Sequence, residues 1–180
     1  MKEHQNLFRD LQEDFRKMKK NLLVAQSGGP TAAINATLAG VIKQAIKEEQ
    51  IDQVYGACYG IQGVLEQKFV NLTEKVDTEE KLEKLKRTPA AALGSCRFKL
   101  NDIKEDDSQY QEIVDILHKM NIGYFVYIGG NDSMDTVAKL SAYCKEKGVE
   151  DIKVIGGPKT IDKCLLYTSP SPRDRQKSRM

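Results

Sequence analysis

Short apolar runs alternate with amphipathic stretches along most of the chain. Four apolar runs predict buried strands, at 21–27, 53–59, 123–128 and 151–155. Apolar positions that recur every three or four residues predict helices over 31–49, 78–87, 108–120 and 132–147. Strands that alternate with helices form right-handed βαβ units, so we expect an α/β fold with a parallel sheet and helices on both of its faces.

The two ends of the chain depart from this pattern. Residues 1–20 place apolar side chains at helical spacing among charges of both signs, namely Leu7, Phe8, Leu11, Phe15 and Met18. This spacing predicts an amphipathic helix that packs on the domain or on a partner subunit, since mixed charges disfavour a membrane surface. After Asp162 the apolar period is lost and two Ser-Pro pairs follow. We therefore divide the chain into a helix at 1–20, a domain at 21–162 and a disordered tail at 163–180.

Composition and charge exclude several classes of protein. The net charge of +2 comes from the tail, where five basic residues face one acidic residue, so residues 1–162 sum to −2 and give no case for nucleic acid. No apolar run is long enough to cross a membrane, and no secretory signal is visible. Four cysteines without a CxxC pair and only two histidines make a zinc site improbable, so we expect reduced thiols in a cytoplasmic protein.

Glycine pairs follow three of the predicted strands, in the segments SGGPTAAIN (27–35), GGNDSMDT (129–136) and GGPKTID (156–162). Ligands of parallel sheets bind beyond the carboxyl ends of the strands, where these segments fall. Each segment alone has an ordinary interpretation, either as a Gly-Gly turn or as a helix cap built from Asn131, Asp132 or Ser133. A further segment, GSCRFK (94–99), carries Arg97, which alone is most simply a surface arginine. The functional interpretations are a phosphate site at a helix N-terminus and a site for a hard cation. The chain has neither a GxxxxGK[ST] loop nor a GxGxxG motif.

In this order and spacing, five segments resemble the 6-phosphofructokinase family: SGGPTAAIN, YGIQGVL (59–65), LGSCRFK, IGGNDSMDT and GGPKTID. The resemblance extends from about residue 21 to residue 162 and covers under half of a family subunit. It implies a truncated, Rossmann-like N-terminal lobe of a glycolytic phosphotransferase. It also implies Mg²⁺ as cofactor, fructose 6-phosphate as substrate, and a homo-oligomeric parent enzyme with no nucleic-acid or membrane partner.

The resemblance assigns roles to residues in each segment. Gly29 is similar to the glycine whose backbone contacts the donor phosphate, and Asn131 occupies the position of a magnesium ligand. Arg97 resembles the catalytic arginine that bridges donor and acceptor. Phosphoryl transfer depends on such positioning and charge neutralisation more than on covalent chemistry.

The GGPKTID segment carries the residues that the resemblance assigns to the sugar phosphate. Asp162 matches the base that takes the proton from the 1-hydroxyl of fructose 6-phosphate, and Thr160 and Ile161 line the same loop. The family continues with Asn-Asp after this base, whereas this chain has Lys163-Cys164. Because the second lobe is also missing, we expect the 180-residue chain alone to be inactive.

Two departures from the ATP-using members resemble the pyrophosphate-dependent branch. This chain has Asp132 and Lys159 where ATP-using members have glycine. In the pyrophosphate-dependent branch the carboxylate fills the place of the α-phosphate of ATP, and the lysine stabilises the leaving group. We therefore expect pyrophosphate as donor, with an ATP-dependent 6-phosphofructokinase as the alternative. A non-catalytic regulatory subunit is a further alternative, but such a subunit would be expected to lose the base, and Asp162, Arg97 and Gly29 are all present.

We expect residues 163–180 to be foreign to the native protein, because their sequence resembles a translated vector or adapter junction. Sequencing the genomic locus tests this expectation. A native continuation from residue 162 would support it, whereas an uninterrupted frame that encodes YTSPSPRD would contradict it.

Overall fold

A five-stranded, mostly parallel sheet forms the centre of the structure, a computed structural model that describes residues 19–29, 31–103 and 106–159. Its strands are β1 (Lys20–Gln26), β2 (Ile51–Ala57), β3 (Phe69–Asn71), β4 (Ile122–Gly129) and β5 (Lys153–Pro158). The order across the sheet is β3-β2-β1-β4-β5. Residues 1–18 of the predicted N-terminal helix and the whole predicted tail lie outside the described residues, and Lys20, expected to end that helix, begins β1.

Strand pairing confirms the predicted parallel sheet, with one antiparallel strand added at an edge. β1 pairs in parallel with both β2 and β4, and β4 pairs in parallel with β5. β3 pairs antiparallel with β2 through three residues. The apolar pattern did not predict β3 because a strand of three residues is too short to show an alternation.

Six helices connect or follow the strands in the described part of the chain. They are α1 (Ala32–Ala45), α2 (Gly60–Leu65), α3 (Leu72–Lys75), α4 (Glu79–Arg87), α5 (Ser108–Lys119) and α6 (Asn131–Glu146). The four longer helices confirm those predicted from the spacing. The one- and two-turn helices α3 and α2 were not predicted because they hold too few residues to define a period. None of the described helices has the length and apolar character needed to cross a bilayer.

The helices divide between the two faces of the sheet, which confirms the predicted fold class. On β1, Leu22 and Val24 pack into a core with α1 and α4, whereas Leu23 and Ala25 pack into a second core with α2, α5 and α6. Successive residues of a strand point to opposite faces, so a strand covered on both sides is apolar throughout. This double burial is why residues 21–27 form a continuous apolar run.

Two details of the predicted elements are wrong. The helix predicted over 31–49 ends at Ala45, and Ile46, expected on its buried face, is 49% exposed in the turn that leads to β2. Gly156 and Gly157, expected to stop the last strand, lie within β5 and pair with β4. A Cβ on Gly156 would lie 2.7 Å from the sulfur of Met134, so this glycine permits α6 to pack closely on the strand.

Gly63 and Gly40 form a matched pair for testing how tightly the α2 turn is packed. A Cβ on Gly63 would overlap the backbone carbonyl of Cys58, whereas nothing lies within 4 Å of a Cβ on the exposed Gly40 of α1. We expect Gly63→Ala to lower the free energy of unfolding by about 1–3 kcal/mol. Gly40→Ala should raise it by about 0.5–1 kcal/mol, because alanine favours helix. Urea denaturation measures both; wild-type stability in Gly63→Ala would contradict the packing.

Candidate functional site

A cleft of about 590 Å³ opens at the carboxyl ends of β1 and β4. The strand order reverses between these two neighbouring parallel strands: β1 is followed by β2 on one side of the sheet, and β4 is followed by β5 on the other. Such a reversal leaves a crevice at the strand ends because the following helices lie on opposite faces. Three segments line the cleft, residues 27–29, 96–99 and 130–133. The structure therefore brings together three of the five segments singled out in the sequence.

The turn after β1 exposes its backbone to the cleft. Gly28 has a φ of +81°, which favours glycine, and a Cβ there would lie 3.6 Å from the amide nitrogen of Gly130. The N–H of Ser27 donates to the carbonyl of Ile128 at 2.9 Å and fixes the turn against β4. Nothing lies within 4 Å of a Cβ on Gly29, so the space beside its α-carbon is open to a ligand.

Helix α6 begins at the opposite wall of the cleft. Its N-cap is Gly130, and no side chain caps it, so the interpretation of Asn131, Asp132 and Ser133 as ordinary caps is not supported. The side chains of Asn131 and Asp132 are exposed in the first turn, while Ser133 is buried. The helix dipole places a partial positive charge at this end, which favours an anion in the cleft.

A loop at residues 94–100 forms the third wall and carries two cations. The hydroxyl of Ser95 donates to the carbonyl of Gly28 at 2.6 Å, and the hydroxyl of Ser27 donates to the carbonyl of Cys96 at 3.1 Å. These bonds join the loop to the turn after β1. Arg97 and Lys99 line the cleft from this loop with exposed side chains.

Two fully buried amide side chains, Gln26 and Asn35, hold the preceding loop in place. Gln26 accepts from the N–H of Leu93 at 2.9 Å and donates to Asn35 at 3.0 Å. Asn35 bonds three backbone groups of the loop, the carbonyls of Thr88 (2.8 Å) and Ala90 (2.6 Å) and the N–H of Ala92 (2.9 Å). In the described part of the chain no buried side-chain polar atom lacks a partner. The network thus sets the position from which the Arg97 loop departs.

Lys159 lies directly after β5, beside the turn after β1. Its backbone N–H donates to the carbonyl of Gly129 at 2.8 Å, and its ammonium donates to the carbonyl of Gly29. The side chain therefore borders the turn after β1, although Lys159 is not among the residues that line the cleft. Thr160, Ile161 and Asp162 lie outside the described residues, and their predicted roles stay predictions.

The charges around the cleft suit a polyanion. Lys99 pairs with Asp132 across the mouth, with 3.8 Å between Nζ and Oδ1. Arg97 makes no ion pair with any other residue that the structure describes, so three cations, Arg97, Lys99 and Lys159, stand against one carboxylate. At the inner wall, burial raises the pKa of the Tyr127 phenol to about 12, so this group stays neutral at physiological pH.

The cleft offers few ligands to a metal ion. The described residues contain no group of three or more His, Cys, Asp or Glu side chains that could hold a metal. Mg²⁺ in phosphate sites keeps several waters and binds through one or two protein oxygens and the substrate phosphates. The exposed amide of Asn131 beside the carboxylate of Asp132 fits such a sparse set.

Several residues of the site were not predicted. Ser27, Cys96 and Tyr127 line the cleft, and Gln26 and Asn35 support it. The signal for the last two was present: each is a polar residue placed where the apolar pattern of a strand or helix demands burial. A buried amide requires hydrogen-bond partners, but the sequence does not identify them.

Comparison with known proteins decides the family. Residues 21–172 match the family model described as Phosphofructokinase. The chain belongs to the phosphofructokinase family. The pyrophosphate–fructose 6-phosphate 1-phosphotransferase of Rhodospirillum rubrum is 41% identical over 154 residues, which are 86% of this chain and 36% of that protein. The chain thus spans little more than a third of this phosphofructokinase.

Two further matches are phosphofructokinases with different donors, one found by structure and one by sequence. The crystal structure of the pyrophosphate-dependent phosphofructokinase from Nitrosospira multiformis matches with a TM-score of 0.71 and 38% identity, covering 79% of this chain and 34% of that one. The ATP-dependent 6-phosphofructokinase 3 of Bacteroides thetaiotaomicron is 31% identical over 151 residues, 82% of this chain and 41% of that protein. The predicted N-terminal lobe fold of a phosphofructokinase is confirmed.

Asn35 provides a test of the support beneath the Arg97 loop. Asn35→Ala removes three part-buried hydrogen bonds to the loop backbone, each worth about 0.5–1.5 kcal/mol. We expect the free energy of unfolding to fall by roughly 2 kcal/mol or more. Proteolysis within residues 88–96 should become faster. The control is Asn71→Ala, which removes a solvent-accessible helix cap and should cost about 1 kcal/mol. Equal losses in the two variants, with unchanged proteolysis, would contradict a supporting role for Asn35.

Proposed function

We propose that this chain is the donor-binding part of an enzyme that makes fructose 1,6-bisphosphate from fructose 6-phosphate with pyrophosphate as phosphoryl donor. The observation that carries the proposal is the placement of Asp132, the one carboxylate among the described residues that line the cleft, beside Arg97 and Lys99. Identity of 41% to a pyrophosphate-dependent relative supports the same donor.

Pyrophosphate fits the shape and charge of the cleft. One phosphate would lie in the open space beside Gly29, which the N-terminus of α6 and the side chain of Arg97 also line. A donor held between fixed dipoles and cations needs little reorganisation when negative charge develops during transfer. We assign the transferring phosphoryl group to Arg97 because its planar guanidinium suits phosphate oxygens.

The proposed reaction is an in-line displacement. The 1-hydroxyl oxygen of fructose 6-phosphate forms a bond to phosphorus, the bridging P–O bond of pyrophosphate breaks, and orthophosphate leaves. The hydroxyl proton passes to Asp162, with Thr160 and Ile161 beside the sugar. Lys159, three residues before Asp162, supplies a positive charge near the leaving phosphate. Asn131 would hold Mg²⁺, which when bound neutralises charge on the phosphates.

Asp132 is the residue on which donor choice depends in this proposal. A carboxylate about 4 Å from the α-phosphate of ATP would repel it by about 1 kcal/mol in bulk water and about 4 kcal/mol at an effective dielectric constant of 20. Because the Asp132 side chain is 82% exposed, screening brings the repulsion toward the lower value. Pyrophosphate has no third phosphate and avoids the repulsion.

The experiment compares kcat/KM for pyrophosphate and ATP in the full-length parent enzyme, with and without Asp132→Gly and Lys159→Gly. We expect the unmodified parent to prefer pyrophosphate. Asp132→Gly should raise kcat/KM for ATP about fivefold or more, the factor for about 1 kcal/mol of lost repulsion. Lys159→Gly should mainly slow the pyrophosphate reaction, because it removes a charge near the leaving group.

Lys145→Gln, on the far and exposed end of α6, is the control and should change neither reaction. A parent that prefers ATP, or an Asp132→Gly variant with unchanged use of ATP, would refute pyrophosphate as donor. The ATP-dependent 6-phosphofructokinase would then take its place.

A further inference from the structure

The ion pair between Lys99 and Asp132 joins the two outer walls of the cleft. Lys99 belongs to the loop after Leu93, and Asp132 belongs to the first turn of α6, with 3.8 Å between the charged atoms. Both side chains are largely exposed, at 74% and 82%. An exposed ion pair contributes little to stability, so its placement at the mouth calls for an explanation other than folding.

Asp132 lies in the first turn of α6, where its charge favours the helix dipole, but its carboxylate forms no hydrogen bond to the helix backbone that would fix it in place. It does not cap α6, and its described partner is Lys99. Its backbone carbonyl, rather than its side chain, accepts the hydroxyl of Thr136 at 3.0 Å. A carboxylate and a phosphate offer a lysine the same kind of contact, a negative oxygen that accepts from the ammonium.

We propose that Lys99 is a latent anchor for a third phosphate, which Asp132 occupies in this protein. The inference rests on the proposed function, in which the Asp132 carboxylate stands where a nucleotide's third phosphate would lie. The inference adds that Lys99 is the cation which the Asp132 carboxylate contacts at this position. Asp132 then excludes a longer polyphosphate in two ways, by repelling it and by engaging the lysine that would bind it.

This arrangement predicts that substitutions of Asp132 and Lys99 have non-additive effects on polyphosphate binding. Removing Asp132 should help a ligand with three phosphates both by ending a repulsion and by freeing Lys99. Without Lys99, only the first gain remains. Substitutions at residues that share one interaction give non-additive effects, and a double-mutant cycle measures that non-additivity.

The test measures binding of sodium pyrophosphate and sodium tripolyphosphate to the 180-residue chain in the presence of Mg²⁺, by titration calorimetry or ³¹P NMR. Tripolyphosphate adds a third phosphate without adding a nucleoside. The proteins are the unmodified chain, Asp132→Gly, Lys99→Gln and the double variant. Lys99→Arg tests rescue by a second cation, and Lys145→Gln is the control.

We expect Asp132→Gly to raise affinity for tripolyphosphate relative to pyrophosphate about fivefold in the Lys99→Gln background, where only the repulsion is lost. With Lys99 present, the same change should raise it by a further factor of roughly two to five. Lys99→Arg should keep most of the larger gain, and Lys145→Gln should leave both affinities unchanged. Circular dichroism of each variant establishes that the comparison is between folded chains.

Equal gains in the two backgrounds would overturn the role of Lys99, as would failure of either polyphosphate to bind. These outcomes are separate from a failure of the proposed function. The preference of the parent enzyme between pyrophosphate and ATP tests that function. A parent that prefers pyrophosphate together with equal gains would remove the latent anchor and leave the donor assignment intact.

Discussion

The parallel pairing of β1 with β4 is the constraint on which the rest of the structure depends. Because β1 lies between β2 and β4, the chain must travel to one side of the sheet and then to the other. The helices that follow β1 and β4 consequently cover opposite faces, and neither can close the edge between the strand ends. The cleft therefore follows from the topology, and its chemistry follows from the residues that the chain places directly after these two strands.

The third wall depends on a different kind of interaction. Residues 88–93 are held by the buried amides of Gln26 and Asn35, one at the end of β1 and one in the first turns of α1. Burying two amides is costly unless every polar group finds a partner, and here the loop backbone provides those partners. The hydrogen bonds that satisfy the two buried amides therefore also fix the loop that leads to Arg97, although neither amide lines the cleft.

The sequence predicted the fold and the cleft more fully than it predicted the supporting contacts. Buried parallel strands and amphipathic helices have strong periodic signals, so four strands and four helices were recognised, whereas β3 and α2 were too short. Strand ends in a parallel sheet share an edge, so Gly29, Asn131 and Asp132 were correctly expected together, whereas Arg97, on a loop far from a strand end, was expected there from the family resemblance. The pairing of residues 99 and 132, and that of residue 35 with residues 88–92, depends on tertiary geometry that no local pattern encodes.

The most direct test of the account is to follow the backbone amides of the ¹⁵N-labelled chain while magnesium pyrophosphate is added. We expect chemical-shift changes at Gly28, Gly29 and the first turn of α6, which border the cleft between β1 and β4. Changes concentrated at the opposite end of the sheet, around His118 and Asp151, would contradict it, and so would an absence of change at Gly29.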